Sequence, residues 1–256
     1  MGRTHEIVIA ALSSIGFLIA ACTATVVSKK EGMVEYAGTQ SDIFRTGKAS
    51  RVISLKDLKG LYGLYAMGPI EGLDGEITVF NSKPYITKVK ENDFVLDTSF
   101  DHGAFFLVWS EQTKWKDIAI PNTVKGYADL QRFVKAQAQT AGIDTAKPFP
   151  FLVSGTPAEI KWHINVDRTD GKPITTELFL RSKENFISKD EPVDIIGFYS
   201  EHHAGIFLTR FAPDIKEGSG MENAIHIHFV SRVSKAAGHI DSLILSEGMV
   251  LRFPNP

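Results

Sequence analysis

The sequence predicts an α+β fold of mixed and antiparallel β-sheets with few helices, arranged as two sheet lobes. From Met33 onward, short runs rich in Val, Ile, Phe and Tyr recur between clusters of Gly, Asn, Asp and Ser, the pattern of strands and turns. Only one long stretch carries helical spacing. The strands neither alternate strictly with helices nor repeat, which is the α+β pattern. Composition agrees with a folded globular chain: 43% of the 256 residues are hydrophobic and 23% charged, with a formal net charge of −2. No basic cluster with interleaved aromatics stands out, so nothing suggests nucleic acid as a partner.

Residues 1–22 read as an export signal. Arg3 gives a short basic start, offset by Glu6, and residues 7–21 form an apolar run the length of a signal-peptide core and short for a membrane span. The run ends Leu18-Ile19-Ala20-Ala21-Cys22, which resembles the cleavage box of bacterial lipoproteins, where the cysteine becomes the lipidated first residue. Cys22 is the only cysteine, so no intramolecular disulfide forms. The expectation is an exported lipoprotein anchored to a membrane through lipid on Cys22, on its periplasmic or extracellular face. An ordinary signal peptide cut nearby and an uncleaved anchor helix are the other readings. Residues 23–32, small and polar, form a tether to a domain spanning 33–256.

Within that domain, strands are expected at 34–37, 76–80, 84–89, 94–97, 104–109 and 115–120. Residues 54–59 read as one or two helical turns capped by Ser54. The best helix runs 127–141, where Leu130, Phe133, Val134 and Ala138 make a core-facing stripe and Gly142 supplies the stop. Further strands are expected at 151–154, 160–166, 175–181, 195–200 and 205–211.

Chemistry concentrates at the end of the chain. His226 and His228 are two apart in an alternating run, so on a strand both imidazoles share one face while Ile225, Ile227 and Phe229 take the other. A second alternating run beginning at His239 reads as the return strand of a hairpin. If His239 pairs with His228, three neutral imidazoles converge, which is how a catalytic Zn²⁺ is held with a fourth position open. Asp241 then falls opposite His226, as an orienter for a ligand. H-x-H alone is a weak pattern; the third histidine makes it specific.

Other candidates lie elsewhere. Glu76 is the first side chain after the Asp74-Gly75 turn, where a carboxylate can act as general acid or base but is more commonly just solvated. Arg181, closing the expected strand at 175–181, either clamps a substrate carboxylate or pairs on the surface. Glu201-His202-His203 is a rival metal cluster, although adjacent histidines on an extended segment face opposite ways. His102 and His163 stand alone and read as structural.

Over nearly all of the exported part, the order and spacing of several motifs resemble the α-acetolactate decarboxylase family, zinc enzymes that convert 2-acetolactate into acetoin. The motifs are Val34-Glu-Tyr-Ala-Gly-Thr-Gln-Ser-Asp-Ile-Phe, Ser54-Leu-Lys-Asp-Leu-Lys, Gly63-Leu-Tyr, Gly72-Leu-Asp-Gly-Glu, Ile196-Gly-Phe, His226-Ile-His-Phe and Gly238-His-Ile-Asp. The resemblance implies His226, His228 and His239 as the zinc ligands and Glu76 as the acidic residue beside the metal. It implies Arg181 as the arginine facing the substrate, a 2-hydroxy-3-oxo acid as that substrate, no organic cofactor, and a homodimer. Two departures bear on activity. Pro69 stands where the family has a threonine, and the family's second glutamate, in a tail beyond the third histidine, has no clear counterpart before Pro256, with Glu247 as a stand-in. Losing such a group costs about two to four orders of magnitude in rate. The alternative is therefore a non-catalytic zinc- or small-ligand-binding lipoprotein that keeps the fold.

Overall fold

Two antiparallel sheets carry the chain, one mainly from its first half and one mainly from its second. The computed structural model describes residues 32–91, 93–209, 212–213, 215 and 220–255. The expected signal segment, Cys22 and most of the expected tether lie outside the described residues. Gly32 donates its N–H to the Glu111 carbonyl at 2.9 Å. Among the described residues no helix is long and apolar enough to cross a membrane.

In chain order the first half contains β1 (Val34–Ala37), α1 (Asp42–Thr46), β2 (Ile53–Ser54), β3 (Leu64–Pro69), β4 (Glu76–Phe80), β5 (Lys83–Lys90), β6 (Asp93–Asp97), β7 (Gly103–Ala104), β8 (Leu107–Glu111) and β9 (Trp115–Ala119). The second half contains α2 (Tyr127–Thr140), β10 (Phe149–Gly155), β11 (Glu159–Asn165), α3 (Thr176–Arg181), β12 (Lys183–Lys189), β13 (Val193–Tyr199), β14 (Ile225–Val230), β15 (Ala237–Ile244) and β16 (Val250–Pro254). The six-stranded sheet has the order β1-β8-β3-β4-β5-β6, the eight-stranded sheet β12-β11-β15-β14-β13-β10-β16-β9, and β2 pairs with β7. Every pairing between these strands is antiparallel, so the mixed sheet allowed by the sequence is not found among the described residues.

Burial explains the layering. On one face of the larger sheet, α2 packs on β15 and contributes Leu130, Val134 and Ala138 to the same buried cluster as Ile225, Ile227 and Phe229 of β14. That apolar stripe at helical spacing buries enough surface to hold the helix in place. The other face of the larger sheet packs on the smaller one. There β4 and β5 lie against β11, β14 and β15, and Thr87 Oγ1 donates across the gap to the Ala237 carbonyl at 2.9 Å. All six residues of β14 are consequently buried, with Ile225, Ile227 and Phe229 on the helix side and His226, His228 and Val230 on the sheet side.

Four sequence expectations need correction. Residues 175–181 form helix rather than strand: the Thr175 hydroxyl accepts from Leu178 N at 3.2 Å and Glu177 sits in the first turn, start signals that outweigh the β-branched pair. Residues 205–209 form a turn with one bridge, Ala204 to Leu208, because Phe207 and Leu208 bury themselves without a neighbouring strand. The run at 104–109 is divided between β7 and β8. Strands β2, β3, β12 and β16 were not anticipated; β12 is an edge strand with alternating exposure. The short helical turn after Ser54 is 3₁₀ over Leu55–Leu58, closed by a capping box between Ser54 and Asp57.

Candidate metal centre

A row of three histidines runs across three adjacent strands of the larger sheet. His228 on β14 pairs with His239 on β15, and His239 pairs on its other side with His163 on β11. Because strand faces alternate, His226 joins the same face from β14 and Asn165 from β11. Opposite them, β4 of the smaller sheet presents Glu76 and Thr78, both buried.

The geometry is close. His226, His228 and His239 place donor atoms within 4.8 Å of one another, and so do His163, His239 and Asp241. The first three ring centroids are 4.8 to 5.3 Å apart. Thr78 Oγ1 lies 2.9 Å from His228 Nδ1, so the other nitrogen of that ring, Nε2, stands 3.9 Å from Glu76 Oε2 with no hydrogen-bond partner. His226 Nε2 meets His239 Nδ1 at 2.9 Å, and His226 Nδ1 is buried without a partner. Asn165 Nδ2 donates to Glu76 Oε1 at 2.5 Å.

The electrostatics follow from burial between two sheets. Desolvation lowers His226 to about 4 and holds His228 and His239 well below the ordinary histidine range, with neighbouring imidazoles adding to the effect. All three are neutral at physiological pH and keep a lone pair. Burial raises Glu76 to about 8, against the opposing charge of Lys183 and the Asn165 hydrogen bond, so its carboxyl group is protonated at neutral pH. An unsatisfied buried nitrogen costs about 1 to 3 kcal/mol. A divalent ion among the converging donor atoms of His226, His228 and His239 would offset such a cost, and three imidazoles beside a carboxyl group fit zinc.

The structure distributes the expected site residues unevenly. His226, His228, His239 and Glu76 come together. Arg181 does not: it ends α3 with its side chain 63% exposed, 3.8 Å from Glu177 one helical turn back. Among the described residues the cation that reaches the cluster is Lys183, at the start of β12, with Nζ 4.0 Å from Asp241 Oδ1. Asp241 does not serve His226. A register shift on the β11 side of β15 sets it at a bulge, from which Oδ2 takes His163 Nδ1 at 2.7 Å. His163 is therefore a buried member of the cluster, 4.6 Å ring to ring from His239, and not an isolated structural residue. Pro69 pairs opposite Glu76, while Glu247 is exposed between β15 and β16. The rival cluster is dispersed: His203 Nδ1 meets Ser200 Oγ at 2.6 Å and its ring stacks on Phe207, while Glu201 binds Lys135. His102 pairs with Asp97 near the surface at 2.6 Å. Sequence reasoning overlooked Thr78, Asn165 and Lys183; the alternation His163-x-Asn165 on a strand was a local signal for Asn165 alone.

Two cavities adjoin the histidines. The inner one, about 30 Å³, is bounded by Pro69, Glu76, His163, Asn165, His226 and His239 and has room for about one water-sized occupant. The outer one, about 660 Å³, shares Gln40, Phe179, Lys183, Thr209 and His239 with it.

No protein-family model matches the chain, and no curated protein matches it in sequence. Solved structures do match in fold. An α-acetolactate decarboxylase from Bacillus subtilis strain 168 superposes with a TM-score of 0.66 at 14% identity, covering 88% of this chain and 86% of that one. The acetolactate decarboxylase of Bacillus subtilis subspecies spizizenii gives 0.67 at 13% identity, over 88% and 87%. A Staphylococcus aureus protein of unknown function, described as similar to α-acetolactate decarboxylase, gives 0.65 at 14% identity, over 88% and 86%.

Proposed function

We propose, from the acetolactate-decarboxylase fold of this chain and the histidine cluster between its sheets, that it is a zinc-dependent carboxy-lyase. Its substrate is 2-acetolactate or a related 2-hydroxy-3-oxo acid, and its products are acetoin, or the corresponding hydroxyketone, and CO₂. One observation carries the reading: a single buried site holds three neutral imidazoles with two unpartnered nitrogens beside a protonated carboxyl group. A zinc ion held by His226, His228 and His239 would supply a Lewis acid for the substrate's carbonyl and hydroxyl oxygens.

The surrounding residues have distinct tasks. Thr78 fixes the tautomer and orientation of His228, and Asp241 fixes those of His163. When the bond to the carboxylate breaks, its electron pair passes to the neighbouring carbonyl and the carbon left behind must gain a proton. Glu76, held by Asn165 and kept protonated at neutral pH by burial in the ion-free protein, would deliver it. Lys183 supplies positive charge for the carboxylate before it leaves. Burial of His226 and His228 limits water around the reacting atoms.

The test is acetoin formation from 2-acetolactate by the full-length protein, with and without a chelator. Chelator-sensitive turnover that zinc restores supports the proposal. A second reading, a zinc- or small-ligand-binding protein without turnover, draws on Pro69, which offers no hydroxyl beside Glu76, and on the exposure of Glu247. Stoichiometric zinc with no acetoin would select it. In either reading Cys22 carries the lipid that tethers the exported protein, so Cys22→Ala should move it from the membrane to the soluble fraction.

A further inference from the structure

We infer that the site accepts 2-hydroxy-3-oxo acids carrying an extended apolar substituent, with the acid group at Lys183 and the chain in the outer cavity. The inference rests on the decarboxylase reading for the chemistry of the polar end. The cavity itself carries the rest.

Size is the first argument. The inner space of about 30 Å³ takes little more than one water or ion, whereas the adjoining cavity of about 660 Å³ lies in the range of pockets that enclose drug-sized ligands. Acetolactate has nine heavy atoms and would leave most of that volume to water. The lining is the second argument. Away from the histidines, Phe44, Tyr127, Phe179, Leu180, Pro213 and Ile240 make a largely apolar wall drawn from several separate segments. Phe44 and Leu180 remain 40% and 63% exposed, apolar surface that costs free energy to leave against water and that an aliphatic chain would cover.

Charge places the acid group. Lys183 lines both cavities, and its 4.0 Å separation from Asp241 is too long for a hydrogen bond, while Asp241 already holds His163 through its other oxygen. The ammonium therefore retains donors for a ligand carboxylate. His239 and Asp241 also line the outer cavity, so a ligand anchored at Lys183 reaches the cluster with one end and the apolar wall with the other.

The experiment uses the zinc-loaded full-length chain and a homologous series of 2-hydroxy-2-methyl-3-oxo acids with acyl chains of increasing length. Alongside it runs the matching series of 2,3-dihydroxy acids, which lack the keto group and cannot lose CO₂ by this route, with affinity measured by calorimetry. Affinity of the unreactive series should tighten about fourfold per added methylene until the cavity is filled. Thr176→Trp, at an exposed position on the cavity wall, should weaken the longest members by at least tenfold and shift the optimum to shorter chains. Lys183→Met should weaken every member by tenfold or more. Affinity independent of chain length, or unaltered by Lys183→Met, overturns the inference. Chain-length-dependent binding without CO₂ release keeps the inference and removes the decarboxylase reading; release from acetolactate with a flat length profile does the reverse.

Discussion

Two stretches of this chain bring histidines within two residues of each other, and their fates differ. On β14, His226 and His228 are fixed by strand alternation on the face that meets the other sheet, where His239 and His163 are added by pairing alone. At 201–203 the histidines sit on the turn after β13, His202 is exposed, and His203 is taken up by Ser200 and Phe207. A metal centre needs several donors converging without competing partners, and a pair of neighbouring strands under a second sheet provides that where a surface turn does not.

The sharpest way to break the comparison is to remove one imidazole from each place. His228→Ala should cut bound zinc from about one per chain to less than about a tenth, because the remaining donors no longer close a three-ligand set. The double change His202→Ala and His203→Ala should keep full occupancy. Metal analysis of both full-length variants decides the matter, and zinc lost from the double variant would place the centre at the turn.

Glu76→Gln is expected to rank next, lowering turnover by about two to four orders of magnitude while zinc stays bound. The wild-type rate should fall as pH rises through the Glu76 titration, at or below about 8, since burial raises that pKa and a bound cation lowers it again. Glutamine removes that limb. An unchanged pH profile in the variant would take Glu76 out of the proton transfer.

The metal-free protein should show the cost of the buried cluster. Between the ordinary histidine value of 6.5 and about 4, the unfolded chain binds a proton at His226 that the folded chain refuses, so stability falls as pH drops. From pH 7 to pH 5 that residue alone accounts for about 2 kcal/mol. Glu76 acts in the opposite direction: the folded state keeps its proton up to about 8, the unfolded state loses it near 4.5, and stability declines as pH rises between them. Thermal melts from pH 5 to 8 should therefore peak inside that interval, and the His202/His203 double variant should peak there too. Over pH 7 to 5 the Glu76 term offsets the His226 term, so the histidine cost is read in Glu76→Gln, where a flat melting temperature across that range would mean that the cluster is hydrated. A smaller effect tests the support of one ligand: Thr78→Val should weaken zinc binding about ten- to a hundredfold in competition with a chromophoric chelator.

What the sequence made legible was mostly local. The bounds of β1 and β4 and the start of α2 follow from hydrophobic period and chain punctuation, and the pairing of His228 with His239 follows from two alternating runs joined by a polar turn. What escaped depends on distant partners. His163 looked solitary because its carboxylate lies 78 residues away and reaches it only through a bulge in β15. The identity of the site cation escaped for a related reason. Reading 175–181 as a strand left Arg181 at its end as either a carboxylate clamp or a surface residue, and the family resemblance favoured the clamp. A capped helix there instead leaves Arg181 exposed and Lys183 beside Asp241.

That exchange of roles yields the smallest expected effect and the most direct check on the fold around the site. Arg181 and Glu177 are both more than half exposed, and their i,i+4 pair at 3.8 Å is of a kind worth a few tenths of a kcal/mol. Arg181→Ala should therefore alter KM and kcat less than twofold and leave the melting temperature within error. Lys183→Met, two residues on, should raise KM at least tenfold, since the cation lining both cavities is gone. If instead Arg181→Ala matched the loss caused by Lys183→Met, α3 would have to turn its last residue inward when substrate binds, and the outward arginine would be a resting position.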